Sequence, residues 1–120
     1  MSEKNKATLR KANSAIASGD HEGFLVHCTE DTKWEFVGEQ TLKGKKAVRR
    51  WMKTAYVEPP RFKVTRLLSG EDFVVALGEI TLKNAAGRDT RHSYCDVWRF
   101  RRGKMAELRA FVVKTKARSK

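Results

Sequence analysis

The chain has 120 residues, 26 of them Lys or Arg and 14 Asp or Glu, so its formal net charge is +12 at pH 7. This length suits one domain with a single core and excludes two. A hydrophobic content of 40% excludes a disordered chain. No apolar run approaches the roughly 18 residues of a membrane span, and no apolar segment follows the polar N-terminus. We therefore expect a cytoplasmic protein with no membrane partner.

The positive charge is concentrated in residues 61–120, and part of it lies in a basic C-terminal tail, residues 114–120. Such a surface can attract nucleic acid, but no zinc-finger, RNP-type or glycine-rich phosphate motif accompanies it. Nucleic-acid binding is therefore the weaker hypothesis. Cys28 and Cys95 are too few for a disulfide scaffold and lack metal-ligand spacing, so we expect buried, reduced thiols and neither a metal nor another cofactor.

Helical spacing dominates the first half of the chain, and alternating segments separated by glycine-containing turns dominate the second half. In chain order, the expected elements are a helix over residues 4–18 that Gly19 ends, a short helix over about 20–28 capped by Asp20, a strand over 32–37, a helix from Gly44 to Pro59-Pro60, and strands over 61–68, 73–83, 88–101 and 105–113. This order predicts an α+β domain over residues 1–113, with helices on one face of a strongly bent, mostly antiparallel sheet.

The strand over residues 88–100 carries the most chemical information. Successive side chains of a strand face opposite ways, and the even positions hold the aromatic residues, so we expect the even face to point inward. Asp96 then lies on the inward face between Tyr94 and Trp98. An inward carboxyl without a partner has a raised pKa and, when protonated, donates a hydrogen bond. The alternative is a structural Asp96 that a nearby Arg, Tyr or Trp satisfies.

His92 shares this face, but it lies about 13 Å from Asp96 at roughly 3.3 Å per residue, which excludes a hydrogen-bonded pair within a regular strand. We expect His92 at the mouth of a pocket or on the surface.

The turn at Arg102-Gly103 leaves two registers open for the last hairpin. A strict two-residue hairpin would place Asp96 opposite Arg109, which would lower the pKa of the carboxyl. One extra residue or a bulge would instead turn Leu108, Ala110 and Val112 inward. The second register buries a uniformly apolar face, so the sequence favours it.

Several short motifs together resemble the NTF2-like superfamily, in its SnoaL-like and ketosteroid-isomerase-like branch. They run from Leu9 to Val113: the helix end Ala15–Asp20, Glu30-Asp31-Thr32 before a strand, Leu42-Lys43-Gly44 before a helix, and Asp96–Phe100 through Gly103-Lys104 to Arg109-Ala110-Phe111. The resemblance implies a cone-shaped, curved sheet with helices packed on its concave face around an apolar pocket. It also implies a homodimer. It does not imply one function, because members of this superfamily differ in function.

The resemblance to ketosteroid isomerases is partial at the catalytic positions. Asp96 matches the protonated Asp of the oxyanion hole, a known example of a carboxylic acid kept neutral by its surroundings. The position of the oxyanion-hole Tyr falls at Ala12, and that of the general base falls at Phe36. The standard steroid isomerisation is therefore not expected.

Other polar groups are candidates for the missing ones. Tyr94 and Tyr56 are potential hydrogen-bond donors in the pocket, and Asp31 is the acid nearest to the missing base, unless it only caps a turn. Glu35 is expected to face away from the pocket, and Glu79 lies in a run that is apolar on both faces and cannot be oriented. The expected lining combines Asp96 and Tyr94, as candidate catalytic residues, with Trp34, Phe36, Met52, Tyr56, Trp98, Leu108 and Ala110 as substrate-binding residues.

Two main functions compete. The first is an isomerase- or cyclase-like enzyme that uses Asp96 as acid or hydrogen-bond donor on a small hydrophobic carbonyl compound. The second is a non-catalytic ligand-binding or protein-interaction module with the same pocket. Each aromatic residue of the lining could also simply fill the core.

Overall fold

The computed structural model describes residues 2–115, which form three helices and one six-stranded sheet. The elements are α1 Ser2–Ala17, α2 His21–Leu25, β1 Cys28–Phe36, β2 Gln40–Lys43, α3 Lys45–Ala55, β3 Arg61–Gly70, β4 Phe73–Lys83, β5 Asp89–Arg101 and β6 Lys104–Lys114. The strand order is β2-β1-β6-β5-β4-β3. Only β1 and β6 pair in parallel, so the predicted α+β class with a mostly antiparallel sheet is confirmed.

Residues 116–120 of the predicted basic tail lie outside the described residues. Within the described part, Lys114 is the last residue of β6, and the backbone N–H of Thr115 still donates to the carbonyl of Arg91. No helix in residues 2–115 is long and apolar enough to cross a membrane.

The region after α1 differs most from the sequence-based prediction. Asp20 does cap α2, accepting a hydrogen bond from the Gly23 N–H at 2.8 Å, but the helix ends at Leu25 rather than near residue 28. Cys28 already pairs with Met105 of β6, so β1 begins earlier than predicted because a distant strand binds it. The strand β2 was not predicted, because its four residues include one apolar side chain and pair only with β1.

A β-bulge sets the register between β5 and β6. Next to the two-residue turn, Arg101 pairs with Lys104, whereas further along Trp98 pairs with Leu108 and Asp96 with Ala110. The unpaired extra residue is Ala106, and it reverses which side chains of β6 face inward. The second of the two predicted registers is therefore confirmed, because only this one buries the apolar face of β6.

The core lies between the concave face of the sheet and the three helices. Trp34 of β1 is at its centre and contacts the rings of Phe24, Phe36, Trp51 and Trp98 with centroid separations of 5.5 to 6.4 Å. Such edge-to-face contacts stabilise aromatic clusters beyond the area that they bury. This cluster forms one wall of the space under the sheet.

The outer face of the sheet carries the charges. Glu35 pairs with Arg109 at 3.3 Å, which confirms that Glu35 faces away from the core. Glu79, whose orientation the sequence left open, lies on the same outer face and meets Arg91 at 3.6 Å. Ion pairs at an exposed surface contribute little stability, so their main effect is to keep the two faces of the sheet distinct.

Candidate functional site

A cavity of about 110 Å³ lies between the concave face and the helices. It is lined by Asn13, Ile16, Phe24, Trp34, Phe36, Met52, Tyr56, Pro60, Phe62, Ile80, Tyr94, Asp96, Trp98, Leu108, Ala110 and Val112. The inner end is buried, with Trp34 and Trp98 at 3% and 4% exposure, whereas Val112 is 40% exposed. The cavity therefore opens to solvent beside Val112 and the partly buried Phe62 and Ile80.

All nine residues that the sequence analysis placed in the site line this cavity. Ala12, at the position of the ketosteroid-isomerase Tyr, is packed in the core. Phe36, at the position of the general base, is part of the apolar wall of the cavity. Sequence reasoning did not place the other seven lining residues in the site: Asn13, Ile16, Phe24, Pro60, Phe62, Ile80 and Val112. Of these it expected only Val112 to face inward. For Asn13 a signal existed, because it is four residues from the buried Leu9 and so shares its helix face.

Asp96 is the only carboxyl among the lining residues within the described part of the chain. Its neighbours across the two adjacent strands are Ala76 and Ala110, so no large side chain covers it from either side. No group in residues 2–115 donates a hydrogen bond to its carboxylate, and burial raises the pKa of Asp96 to about 7. A carboxyl with this pKa is present in both protonation states near neutral pH.

Tyr94 lies beside Asp96 because a glycine stands opposite it on β4. A Cβ atom at Gly78 would be 2.6 Å from the Tyr94 Oη and 2.3 Å from the backbone oxygen of Lys63. Only glycine therefore fits at this position, and it allows the phenol ring to lie against the sheet. Burial, together with the negative charge of Asp96, raises the pKa of Tyr94 to about 12, so its hydroxyl stays protonated.

Tyr56 approaches Asp96 from the helix side. It is the C-cap residue of α3, its ring packs on Trp51 at 4.9 Å, and its carbonyl oxygen lies 3.1 Å from the His21 Nε2. Burial raises its pKa, and the charges of Asp96 and Tyr94 act in the same direction. The Tyr56 hydroxyl is therefore a second permanent donor at the cavity.

The other acids considered from sequence lie elsewhere. Asp31 is exposed and pairs with Arg101 at 2.6 Å, and this contact lowers the pKa of Asp31. Glu35 and Glu79 face outward, as described above. His92 shares a face with Asp96 but does not line the cavity, and its buried Nδ1 has no hydrogen-bond partner within the described residues.

This arrangement suits a small apolar molecule with one polar oxygen. A cavity of about 150 Å³ binds benzene. The space of about 110 Å³ is smaller but open at one end, so it suits one small ring that extends in part into the opening. Nothing in residues 2–115 groups three or more His, Cys, Asp or Glu side chains as metal ligands. The polar side chains that a bound molecule would meet include Asp96, the two tyrosines and Asn13.

Comparisons with known proteins agree with this architecture. Residues 9–108 match the SnoaL-like domain family. No curated protein matches the chain.

Solved structures share the fold at low sequence identity. An NTF2-like protein of unknown function from Burkholderia pseudomallei is 20% identical, with a TM-score of 0.82 over 89% of this chain and 88% of that one. A candidate ketosteroid isomerase from Kribbella flavida is 19% identical, with a TM-score of 0.80 over 99% and 83%. An LEH-like epoxide hydrolase from M. tuberculosis is 13% identical, with a TM-score of 0.82 over 92% and 84%.

Proposed function

Because the chain belongs to the SnoaL-like domain family, a family with an NTF2-like fold, we propose that its cavity binds a small, largely apolar carbonyl compound whose oxygen accepts a hydrogen bond from protonated Asp96. The observation that carries this proposal is the carboxyl of Asp96, which has no hydrogen-bond donor in residues 2–115 and lies in a mostly apolar lining. Asp96 is partly buried. A polar group that is largely removed from water without a hydrogen-bond partner costs free energy, and a ligand oxygen would offset that cost.

Acid–base catalysis is the finer part of the proposal. A group whose pKa is near the working pH both donates and accepts protons efficiently, and burial gives Asp96 such a pKa. When Asp96 is ionised it no longer donates to the ketone oxygen, which Tyr94 and Tyr56 would then hold. Ionised Asp96 would remove a proton from the carbon next to the carbonyl, and the electron pair of that C–H bond would move onto the oxygen. Tyr94 and Tyr56 would stabilise this enolate oxygen as hydrogen-bond donors, and Asp96 would return the proton. The alternative is a binding protein that uses the same cavity without catalysis.

Binding can be tested with two probes of nearly equal shape, cyclohexanone and methylenecyclohexane, through the fluorescence of Trp34 and Trp98. The ketone should bind about tenfold more tightly than the alkene at about pH 5, because only the ketone accepts a hydrogen bond from protonated Asp96. This preference should fall as Asp96 ionises around pH 7. In Asp96→Asn the preference for the ketone should not depend on pH, since the amide does not titrate. The histidines are the same in both proteins, so the difference in pH dependence is due to Asp96. Equal affinities for the two probes at every pH would refute the proposal.

Catalysis has a separate readout, the exchange of the hydrogens next to the carbonyl of cyclohexanone for deuterium in heavy water, followed by NMR. If Asp96 acts as the base, the wild-type protein should accelerate exchange by about 10² or more over Asp96→Asn, the usual range for general acid–base catalysis. If wild type and Asp96→Asn gave equal exchange rates while both bound the ketone, Asp96 would not act as a base. The cavity would then belong to a binding protein without catalysis.

We also propose that the outer face of the sheet joins two copies of the chain in a homodimer. Leu77, Cys95 and Phe111 form one row across three adjacent strands of this face, and Val75 and Val97 lie in the next row. The ion pairs of Glu35 with Arg109 and of Arg99 with Glu107 border this apolar band. An apolar centre with a polar rim is typical of protein interfaces. In a dimer with a two-fold axis, this face of one chain would pack against the same face of the other.

Val97→Lys tests the dimer, because it places a charge in the middle of the apolar band. Light scattering should give twice the chain mass of 13.7 kDa for the wild type and the single mass for the variant. Val57→Lys is the matched control, since Val57 is 79% exposed in the loop after α3 and should leave the dimer intact. A monomeric wild type at micromolar concentration would contradict the proposal.

A further inference from the structure

A second depression, of about 490 Å³, runs between α1 and the edge strand β3. Its lining consists of Arg10, Asn13, Ser14, Ala17, Phe62, Val64, Thr65, Arg66 and Leu67, and we call it the α1–β3 groove. The α1 residues have the spacing i, i+3, i+4 and i+7, so they form one helix face beside β3. β3 has a β-bulge between Val64 and Arg66, so the groove lies between a helix face and an irregular part of this edge strand.

The α1–β3 groove is positively charged. It contains Arg10 and Arg66 but no Asp or Glu, and neither arginine forms an ion pair with an acid in residues 2–115. Most other charged residues of the sheet have partners, as the pairs of Arg99, Arg101 and Arg109 illustrate. Guanidinium groups recognise carboxylate and phosphate oxygens, so the groove favours an anion.

The groove is continuous with the cavity. Asn13 and Phe62 line both spaces, and Phe62 lies at the cavity opening described above. A molecule that leaves the cavity past these two residues therefore enters the α1–β3 groove, where the amide of Asn13 can donate a hydrogen bond to it.

We propose that the ligand of the cavity is an amphipathic anion, whose apolar ring lies against Trp34 and Trp98 and whose carboxylate or phosphate group binds in the α1–β3 groove at Arg10 and Arg66. This inference rests on the proposed function, because it extends the same ligand out of the same cavity. It narrows the substrate class from apolar carbonyl compounds in general to those that carry an acidic group on a side chain.

The probes are phenyl-substituted carboxylates of increasing chain length, from benzoate through phenylacetate to longer phenylalkanoates, each compared with its primary amide. The amide matches the carboxylate in shape but carries no charge. At the chain length that reaches the groove, the carboxylate should bind about tenfold more tightly than the amide, and added salt should reduce this ratio. Phenylalkyl phosphates of the same lengths form a second series, and the tighter series identifies the anionic group.

The double variant R10Q/R66Q should remove the preference for the anion and leave the affinity for cyclohexanone unchanged. Arg50→Gln is the matched control, because Arg50 is an exposed arginine of α3 outside both spaces and should keep the preference. Equal affinities for carboxylate, phosphate and amide, with cyclohexanone still bound, would overturn this inference alone. If neither cyclohexanone nor the phenylalkanoates bind, both this inference and the proposed function are wrong.

Discussion

Asp96→Asn should stabilise the protein at about pH 8 and leave its stability nearly unchanged near pH 4. Burial raises the pKa of Asp96 from 3.8 to about 7 in the folded state, so the folded protein holds more protons than the unfolded chain between these values. The free energy of unfolding of the wild type therefore falls as the pH rises through this window, by up to about 1.4 kcal/mol per pH unit. By about pH 8 this loss is nearly complete and amounts to roughly 4 kcal/mol of unfolding free energy, a loss that the neutral amide of Asn avoids.

Urea unfolding of wild type and Asp96→Asn at several pH values measures this difference. Asp31→Asn is a suitable control with the opposite sign, because the ion pair with Arg101 lowers the pKa of Asp31 in the folded state. The contribution of Asp31 to the free energy of unfolding is present above the pKa of Asp31 in the unfolded chain. It is lost as the pH falls through the lower pKa of Asp31 in the folded protein. A stability difference between wild type and Asp96→Asn that does not vary with pH would show that Asp96 has an ordinary pKa, and it would also remove its role as a neutral donor.

Gly78→Ala should destabilise the protein by about 3 kcal/mol, near the upper end of the range for overpacking. The added Cβ would lie 2.3 Å from the Lys63 backbone oxygen and 2.6 Å from the Tyr94 Oη. The backbone of Lys63 cannot move away easily, because its strand β3 is held by pairing with β4 on both sides of this position. Displacing Tyr94 should also weaken cyclohexanone binding in whatever protein remains folded. Thermal and urea unfolding give the stability change.

Gly70→Ala is the matched control for this substitution. Gly70 also belongs to the β3–β4 pair, but a Cβ there would have no atom within 4 Å, so we expect little change. Combining Gly78→Ala with Tyr94→Phe should recover little of the loss, because the contacts of the added Cβ with the Lys63 oxygen and with the ring Cζ, at 2.7 Å, remain. Equal stability of the Gly78 and Gly70 variants would mean that Gly78 is not needed to place Tyr94.

The alternation of β5 was the best guide to the cavity. Tyr94, Asp96 and Trp98 could be assigned to one face because a strand of this length has a strict period of two, and burial of the aromatic side chains sets which face is inward. The same rule could not decide β6, since the extra residue Ala106 changes the parity in the middle of the strand. A bulge is stabilised by the pairing of both neighbouring strands, which no local pattern contains.

The sequence by itself determined the family, the α+β class and the positive net charge, and it identified one inward carboxyl among aromatic residues. These features depend on local periodicity and on the order of short motifs. Only the tertiary structure decided that Gly78 makes room for Tyr94, that Asn13 lies at the cavity, and that Arg10 and Arg66 border one groove beside it. Those facts depend on contacts between residues distant in the chain, which the curvature and register of the sheet create. The large positive charge, uninformative as a total, thereby divides into ion pairs on the outer face and cations without an acidic partner in residues 2–115. Two of these cations, Arg10 and Arg66, border the groove beside the opening of the cavity.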